Sequence, residues 1–137
     1  MTKILVVDDE DDILDILIED LSGGGYDVIS AKNGASALVR IYQEQPDLVL
    51  LDLLMPVLNG YEVLREVRDN PTTKNLPVIV ITGVPDVKSE QTAVEMGANY
   101  FLTKPWNPET LHAAIRVALR EAGNSVGDTQ PVASVDI

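Results

Sequence analysis

Cysteine is absent from this chain of 137 residues, and positively charged residues are scarce. Without cysteine the chain can form no disulfide, thiolate nucleophile or cysteine-ligated metal site, and we expect it in a reducing compartment, the cytoplasm. Lys and Arg number 10 against 22 Asp and Glu, which gives a formal net charge of -12. This balance predicts no direct binding to nucleic acid or to an anionic membrane, because both carry negative charge themselves.

Long hydrophobic runs are also missing. Only four apolar residues separate Lys3 from Asp8, too few for the core of a signal peptide, and no run approaches the length that spans a bilayer. We therefore expect a soluble chain with no membrane partner. The chain has the length of one domain, and its hydrophobic fraction of 45% is sufficient for a sizeable core.

Four short apolar runs are present, and each leads to a residue that can take part in chemistry. The runs are residues 4–7, 48–51, 78–81 and 101–103, and they lead to Asp8 and Asp9, to Asp52, to Thr82 and to Lys104, respectively. Such runs are typical of strands that are buried on both faces of a parallel sheet. Helical patterns separate the runs, and a weaker alternating segment lies at 26–30. We therefore predict five strands and five helices in a doubly wound α/β fold.

The composition changes near the end of the chain. From Gly123 onward, Gly, Ser, Thr, Pro and Asp dominate without helical or strand periodicity. We therefore assign residues 1–122 to one domain and predict that residues 123–137 form a flexible tail or the remnant of a linker.

The ends of the predicted strands define a candidate site. In an open parallel sheet the ligand crevice lies beyond the carboxyl ends of the strands, so three carboxylates, a hydroxyl and an ammonium are expected to share one pocket. Two like charges about 4 Å apart repel by roughly 4 kcal/mol at an effective dielectric constant near 20, so the acids need cations nearby. Lys104 supplies one positive charge, and a divalent ion would supply the rest. Oxygen ligands favour Mg²⁺ or Mn²⁺ over zinc.

Such a pocket suggests phosphoryl chemistry, because magnesium commonly shares its coordination shell with substrate phosphate. A carboxylate can attack phosphorus, and Asp52 is the candidate nucleophile, since Asp8 and Asp9 form an adjacent pair suited to metal binding. The candidates for binding the phosphoryl group are Thr82, Gly83 and Lys104. Each residue alone has a plainer explanation, such as a helix N-cap for an aspartate or an exposed surface position for a lysine. Only their convergence at one edge favours a functional site.

These motifs resemble the receiver domain of two-component response regulators, a family that includes chemotaxis regulators. The resemblance covers about residues 3 to 121, and its motifs are Asp8-Asp9, Asp52 with Met55-Pro56 and Gly60, Thr82-Gly83, and Lys104-Pro105. It implies a flavodoxin-like five-stranded parallel sheet with strand order 2-1-3-4-5. It also implies a signalling domain that is not an enzyme, apart from its own phosphoryl transfer and slow autodephosphorylation.

The resemblance further implies a role for each acidic residue. Asp52 would be the phosphoacceptor, and the donor would be a phosphohistidine of a sensor histidine kinase or a histidine phosphotransfer protein. Mg²⁺ would be the cofactor, with Mn²⁺ as an alternative. The metal would be bound directly by Asp9 and Asp52, through water by Asp8, and by the backbone carbonyl of Leu54.

A conformational switch is the second implication of the resemblance. Phosphorylation would draw the Thr82 hydroxyl inward, and Phe101 would follow it, which reshapes the face of the fourth helix, fifth strand and fifth helix for an unidentified protein target. The added phosphate charge of about -1.5 to -2 is sufficient to bias a two-state loop. The Lys104-Pro105 peptide is expected to be cis. The formation of a homodimer on phosphorylation is an open question at this point.

Three positions depart from the commonest receiver pattern. Phe101 stands where tyrosine is frequent, so its ring has no hydroxyl to hold it outward. Leu54 and Val84, two residues beyond Asp52 and Thr82, are apolar where several fast-decaying receivers are polar. We hypothesise that they hinder the hydrolytic water and give a long-lived phosphoryl state.

Two other functions are compatible with the acidic motif. A magnesium-dependent phosphatase of the haloacid dehalogenase type would use Asp8 as its nucleophile, although Glu10 stands where that family's motif has a second aspartate. A pseudo-receiver would keep the pocket without accepting phosphate. In either receiver interpretation, we expect the chain to act alone by protein contact or to be part of a longer protein.

Overall fold

Five strands alternate with five helices along the chain. In order, the elements are β1 (Lys3–Val7), α1 (Asp11–Gly23), β2 (Asp27–Ala31), α2 (Gly34–Glu44), β3 (Leu48–Leu51), α3 (Gly60–Asp69), β4 (Val78–Thr82), α4 (Val87–Glu95), β5 (Tyr100–Thr103) and α5 (Pro108–Asn124). The structure is a computed structural model, and it describes residues 1–55, 58–83 and 87–124. The predicted alternation of strands and helices is confirmed.

All neighbouring strands run parallel, in the order β2-β1-β3-β4-β5. The order confirms both the doubly wound sheet and the flavodoxin-like arrangement implied by the resemblance to receiver domains. β1 and β3 are paired up to Val7 and Leu51, and Thr82 of β4 lies opposite Thr103 of β5. The chain therefore leaves four strands along the same carboxyl edge of the sheet.

The central strands bury both of their faces. In β1, Ile4 and Val6 pack into one hydrophobic cluster, whereas Leu5 and Val7 pack into another on the opposite face. Helices α1 and α5 contribute to the first cluster, and helices α2, α3 and α4 contribute to the second. Because both faces are covered by helices, every position of residues 4–7 is apolar rather than every second one.

The edge strands are less buried than the centre of the sheet. In β2 only Ala31 is fully buried, and in β5 no residue is. This difference explains why residues 26–30 give a weaker strand pattern than the runs in β1, β3 and β4.

α5 extends to Asn124, two residues beyond the predicted end of the domain at residue 122. The rest of the predicted tail, residues 125–137, lies outside the described residues. Within the part of the chain that the structure describes, no helix combines the length and apolar composition of a membrane span.

Arg68, near the end of α3, connects two loops at the amino edge of the sheet. Its guanidinium donates hydrogen bonds to the carbonyl oxygens of Lys74 (3.0 Å), Leu76 (2.7 Å) and Gly97 (3.0 and 2.8 Å), and to Oδ1 of Asn99 (3.1 Å). Burial lowers the pKa of Arg68 from its usual value. Gly97 has a φ of 103°, and a Cβ there would lie only 2.8 Å from Nε of Arg68, so glycine suits this position on both counts.

Replacing Arg68 is expected to destabilise the fold, because Arg68→Ala leaves the partly buried carbonyl groups of Leu76 and Gly97 without this donor. We expect the free energy of unfolding to fall by about 2–4 kcal/mol, measured by urea denaturation followed by circular dichroism. Arg65→Ala is the matched control, since Arg65 is exposed on the same helix, and should change stability by less than about 0.5 kcal/mol. Equal losses in the two variants would show that the hydrogen-bond network does not stabilise the fold.

Candidate functional site

The carboxyl edge of the sheet brings together the acids predicted from the sequence. Asp8 follows β1 and Asp52 follows β3, and these two strands are neighbours. The backbone N–H of Asp52 donates to the carbonyl oxygen of Val7 at 3.0 Å, and that of Asp8 donates to Ala31 at 3.1 Å. Parallel pairing thus continues past the strand ends and fixes both aspartates at adjacent positions.

Three carboxylates converge there in a geometry that could hold a metal ion. One oxygen each from Asp8, Asp9 and Asp52 lies within 4.8 Å of the others. Asp8 and Asp52 are buried, with 2% and 5% of their surface exposed, whereas Asp9 is exposed. A set of oxygen ligands with one open side suits a hard divalent cation that keeps part of its water shell.

Lys104 is the cation that the structure places among these acids. Its Nζ lies 2.7 Å from Oδ2 of Asp8, 3.1 Å from Oε1 of Glu10 and 3.5 Å from Oδ2 of Asp52. The predicted convergence of Asp8, Asp52 and Lys104 is therefore observed. The contact with Glu10 was not predicted, although Glu10 follows the aspartate pair directly in the sequence.

The charges in this cluster are incompletely balanced. Burial, followed by the charge of Asp8, raises the pKa of Asp52 to about 6, although Lys104 acts in the opposite direction. Burial also opposes the charge of Lys104, but hydrogen bonds to Asp8 and Glu10 and the charges of Asp52 and Asp8 outweigh it and raise the pKa of Lys104. Lys104 thus stays protonated at neutral pH, and further positive charge would favour ionised Asp52.

Thr82 and Gly83 border the same edge. Thr82 ends β4 with 1% of its surface exposed, and its carbonyl oxygen accepts a hydrogen bond from the backbone N–H of Lys104 at 2.9 Å. A Cβ placed on Gly83 would lie 3.9 Å from Cδ of Lys104. Both residues therefore lie beside the lysine, and their phosphoryl contacts stay predictions. Val84 lies outside the described residues.

The loop after β3 is held close to Asp52. The backbone N–H of Leu54 donates to Oδ1 of Asp52 at 3.3 Å, while the Leu54 residue is 54% exposed. Asn59 and Glu62 form a reciprocal capping box that starts α3, with both hydrogen bonds at 3.1 Å. Gly60 packs so tightly that an added Cβ would collide with the carbonyl oxygen of Asp52. The metal contact of the Leu54 carbonyl remains a prediction.

The two remaining predicted residues lie on and after β5. The Lys104-Pro105 peptide is cis, as expected. Phe101 is half-buried and packs against the cluster that contains residues of α2, α3 and α4. Its position next to α4 is consistent with the expected switch, whose movement stays a prediction.

A cavity of about 500 Å³ lies elsewhere, lined in part by Tyr42, Pro46, Pro71 and Leu76. These residues lie near the ends of helices α2 and α3 and before β4, at the amino edge of the sheet. The cavity is therefore separate from Asp8, Asp9 and Asp52. It contributes nothing to the chemistry described above.

Asp52→Asn is expected to stabilise the metal-free protein at neutral pH. The pKa of Asp52 is about 6 in the folded protein against 3.8 for the ordinary group, so the folded state binds this proton more tightly. The contribution of Asp52 to wild-type stability therefore falls as pH rises from about 4 to about 7, whereas asparagine does not titrate. The advantage of Asp52→Asn should be near zero at about pH 4 and about 2–3 kcal/mol at about pH 7.5, measured by urea unfolding in EDTA.

The control for this measurement is Asp12→Asn, which removes one exposed carboxylate from the first turn of α1. An advantage of Asp52→Asn that stays constant or shrinks as pH rises would contradict the charge imbalance assigned to Asp52.

Comparison with known proteins agrees with this geometry. The family model described as response regulator receiver domain matches residues 4–116. Among curated relatives, "Probable transcriptional regulator ycf27" of Porphyridium aerugineum is 47% identical over 118 residues, which cover 86% of this chain and 48% of that protein. The alkaline phosphatase synthesis transcriptional regulatory protein PhoP of Bacillus subtilis is 37% identical over 120 residues, covering 88% and 49%. The chain thus spans about half the length of these relatives.

Solved structures show the same architecture. A CheY-like receiver domain protein from Methanospirillum hungatei superposes with a TM-score of 0.85 at 29% identity, covering 91% of this chain and 98% of that one. The chemotaxis response regulator CheY4 of Vibrio cholerae gives a TM-score of 0.80 at 32% identity, covering 86% and 98%. With a family match over most of its length and relatives above 30% identity, the chain belongs to the response regulator receiver domain family.

Proposed function

We propose that Asp52 accepts a phosphoryl group from a phosphohistidine and that Mg²⁺ is required for the transfer. The family assignment implies phosphorylation-dependent signalling. The observation that supports the finer proposal is the position of the buried Asp52 carboxylate, which has two further acids within 4.8 Å and the Lys104 ammonium 3.5 Å away. The donor would be a sensor histidine kinase or a histidine phosphotransfer protein.

Transfer would be a displacement at phosphorus. One carboxylate oxygen of Asp52 forms the new bond, and the bond from phosphorus to the imidazole nitrogen breaks, with its electron pair remaining on that nitrogen. Even in the metal-free pocket, where its pKa is raised to about 6, most of Asp52 is ionised at neutral pH and can act as the nucleophile. Lys104, already 3.5 Å from Oδ2 of Asp52, would then donate to a phosphoryl oxygen.

The metal would lie among the three carboxylates at the carboxyl edge of the sheet. Asp9 and Asp52 would bind Mg²⁺ directly, Asp8 through water, and the carbonyl of Leu54 would complete the protein ligands. Bound Mg²⁺ would supply positive charge to the phosphoryl oxygens during transfer. The same charge would offset the repulsion between Asp8 and Asp52, which adds to burial in raising the pKa of Asp52.

The output would pass through α4, β5 and α5. Thr82 would turn toward the phosphoryl group, with Gly83 allowing close approach, and Phe101 would move with it. Among the described residues of α4, only Ala93 is fully buried, and Val94 is 53% exposed. A short helix with so little buried side-chain surface is suited to shift at a small free-energy cost. The target would be a protein surface, because the net charge of -12 disfavours nucleic acid.

Incubation with acetyl phosphate and Mg²⁺ tests the phosphoacceptor. The wild type and Asp12→Asn should gain the mass of one phosphoryl group, with the label mapped to Asp52, whereas Asp52→Asn should gain none. EDTA should prevent labelling, because the carboxylates alone leave the incoming phosphate facing negative charge. The measurement is intact mass spectrometry followed by peptide mapping.

The same experiment separates the alternatives. Label on Asp8 that persists in Asp52→Asn and disappears in Asp8→Asn would establish the phosphatase interpretation. A wild type that binds Mg²⁺ but gains no mass would establish the pseudo-receiver. Labelling that survives EDTA would contradict the metal requirement.

The lifetime of the phosphoryl group is expected to depend on Leu54. The backbone N–H of Leu54 donates to the Asp52 carboxylate, and the Leu54 residue is largely exposed. Its apolar side chain would exclude the hydrolytic water and slow decay to longer than minutes. Leu54→Asn should shorten the lifetime on the order of tenfold, because a polar side chain can orient that water. Val39→Asn, which replaces another exposed apolar residue on α2, is the control. Mass spectrometry after donor removal gives the decay, and rapid loss from the wild type would refute the hypothesis.

A further inference from the structure

Lys104 has three ammonium protons and three carboxylate neighbours. Two of the neighbours, Asp8 and Asp52, are buried and belong to the pocket described above. The third, Glu10, has a side chain that is 62% exposed, yet its Oε1 lies at 3.1 Å from Nζ, closer than Oδ2 of Asp52 at 3.5 Å. Lys104 is therefore saturated with carboxylate partners in this state.

The backbone of Glu10 is anchored beside the pocket. Its N–H donates to Oδ1 of Asp8 at 2.9 Å, and its side chain makes no N-terminal capping hydrogen bond although Glu10 is the N-cap of α1. The carboxylate is thus directed to Lys104 while remaining largely in water. It can leave that position by side-chain rotation without exposing buried surface.

We propose that Glu10 is a positioning residue that occupies Lys104 in the unphosphorylated domain and is displaced by the phosphoryl group. This inference rests on the proposed function of Asp52 and Lys104. The Glu10 carboxylate provides the lysine with an anion before phosphate arrives, and a phosphoryl oxygen must replace it. Glu10 also adds a negative charge beside the pocket, which opposes an anionic donor.

The expected consequence is a restraint on both phosphorylation and the binding of phosphoryl mimics. Because the Glu10 contact is largely exposed, its removal should have a modest effect, about two- to fivefold. Glu10→Gln should increase the rate of labelling by acetyl phosphate and tighten the binding of beryllium fluoride, an unreactive phosphoryl mimic, by this factor. Binding of the mimic requires no chemical step, so it reports the competition for Lys104 directly.

Two further variants distinguish contact from charge. Asp12→Asn removes one carboxylate from the first turn of α1, just after the N-cap Glu10. Among the described residues, the carboxylates that contact Lys104 are those of Asp8, Glu10 and Asp52. Asp12→Asn should therefore leave both measurements within about 1.5-fold of the wild type. Glu10→Asp keeps the charge but shortens the side chain by one methylene. If the contact matters, Glu10→Asp should resemble Glu10→Gln rather than the wild type.

The outcomes distinguish failure of the proposed role of Glu10 from failure of the proposed function of Asp52. A wild type that neither gains a phosphoryl group nor binds the mimic contradicts both proposals. A wild type that is labelled on Asp52, with Glu10→Gln no different from Asp12→Asn, contradicts the role of Glu10 alone. If Glu10→Asp behaves as the wild type, the charge of Glu10 matters but its contact with Lys104 does not, and the proposal is wrong.

Discussion

The arrangement of one ammonium group among buried carboxylates is the interaction on which this structure depends. Asp8 and Asp52 lie at the ends of neighbouring strands and would repel each other without a cation between them. Lys104, directly after β5, provides this cation at 2.7 Å from one acid and 3.5 Å from the other. The unequal distances leave Asp52 less compensated than Asp8, so the residue proposed to react is the one whose charge is least satisfied.

The pairing of the strands fixes the positions of Asp8 and Asp52. Side chains alternate between the two faces of a strand. A slip of one residue between β1 and β3 would therefore move the side chains of one strand to the opposite face of the sheet. Both strands are buried on both faces, however, and register must then depend on where the apolar runs stop. Val7 and Leu51 are the last apolar residues before Asp8 and Asp52, and they are paired. The polarity change that creates the site also defines the register of the strands.

Most of the fold and much of the site could be predicted from the sequence, for the same physical reason. Strands buried on both faces give continuous apolar runs, and the residue that follows each run must lie at the carboxyl edge. Glu10 could not be found this way, because its partner Lys104 is 94 residues distant and the contact depends on side-chain direction. The network of Arg68 was not predicted either, since most of its acceptors are backbone carbonyls, which carry no sequence signal.

A site of this kind lowers the stability of the fold. Burial of Asp52 beside Asp8 raises its pKa, and each unit of such a shift corresponds to about 1.4 kcal/mol of destabilisation of the ionised form. A fold that only had to be stable would replace one of these acids with a neutral residue. The strain is useful because it is relieved by what the pocket is proposed to bind. A divalent cation would offset the repulsion, and phosphorylation would convert the Asp52 carboxylate into an acyl phosphate whose anionic oxygens give Lys104 a new partner. Metal binding, phosphorylation and folding stability would therefore be linked through the contacts between Lys104 and these carboxylates.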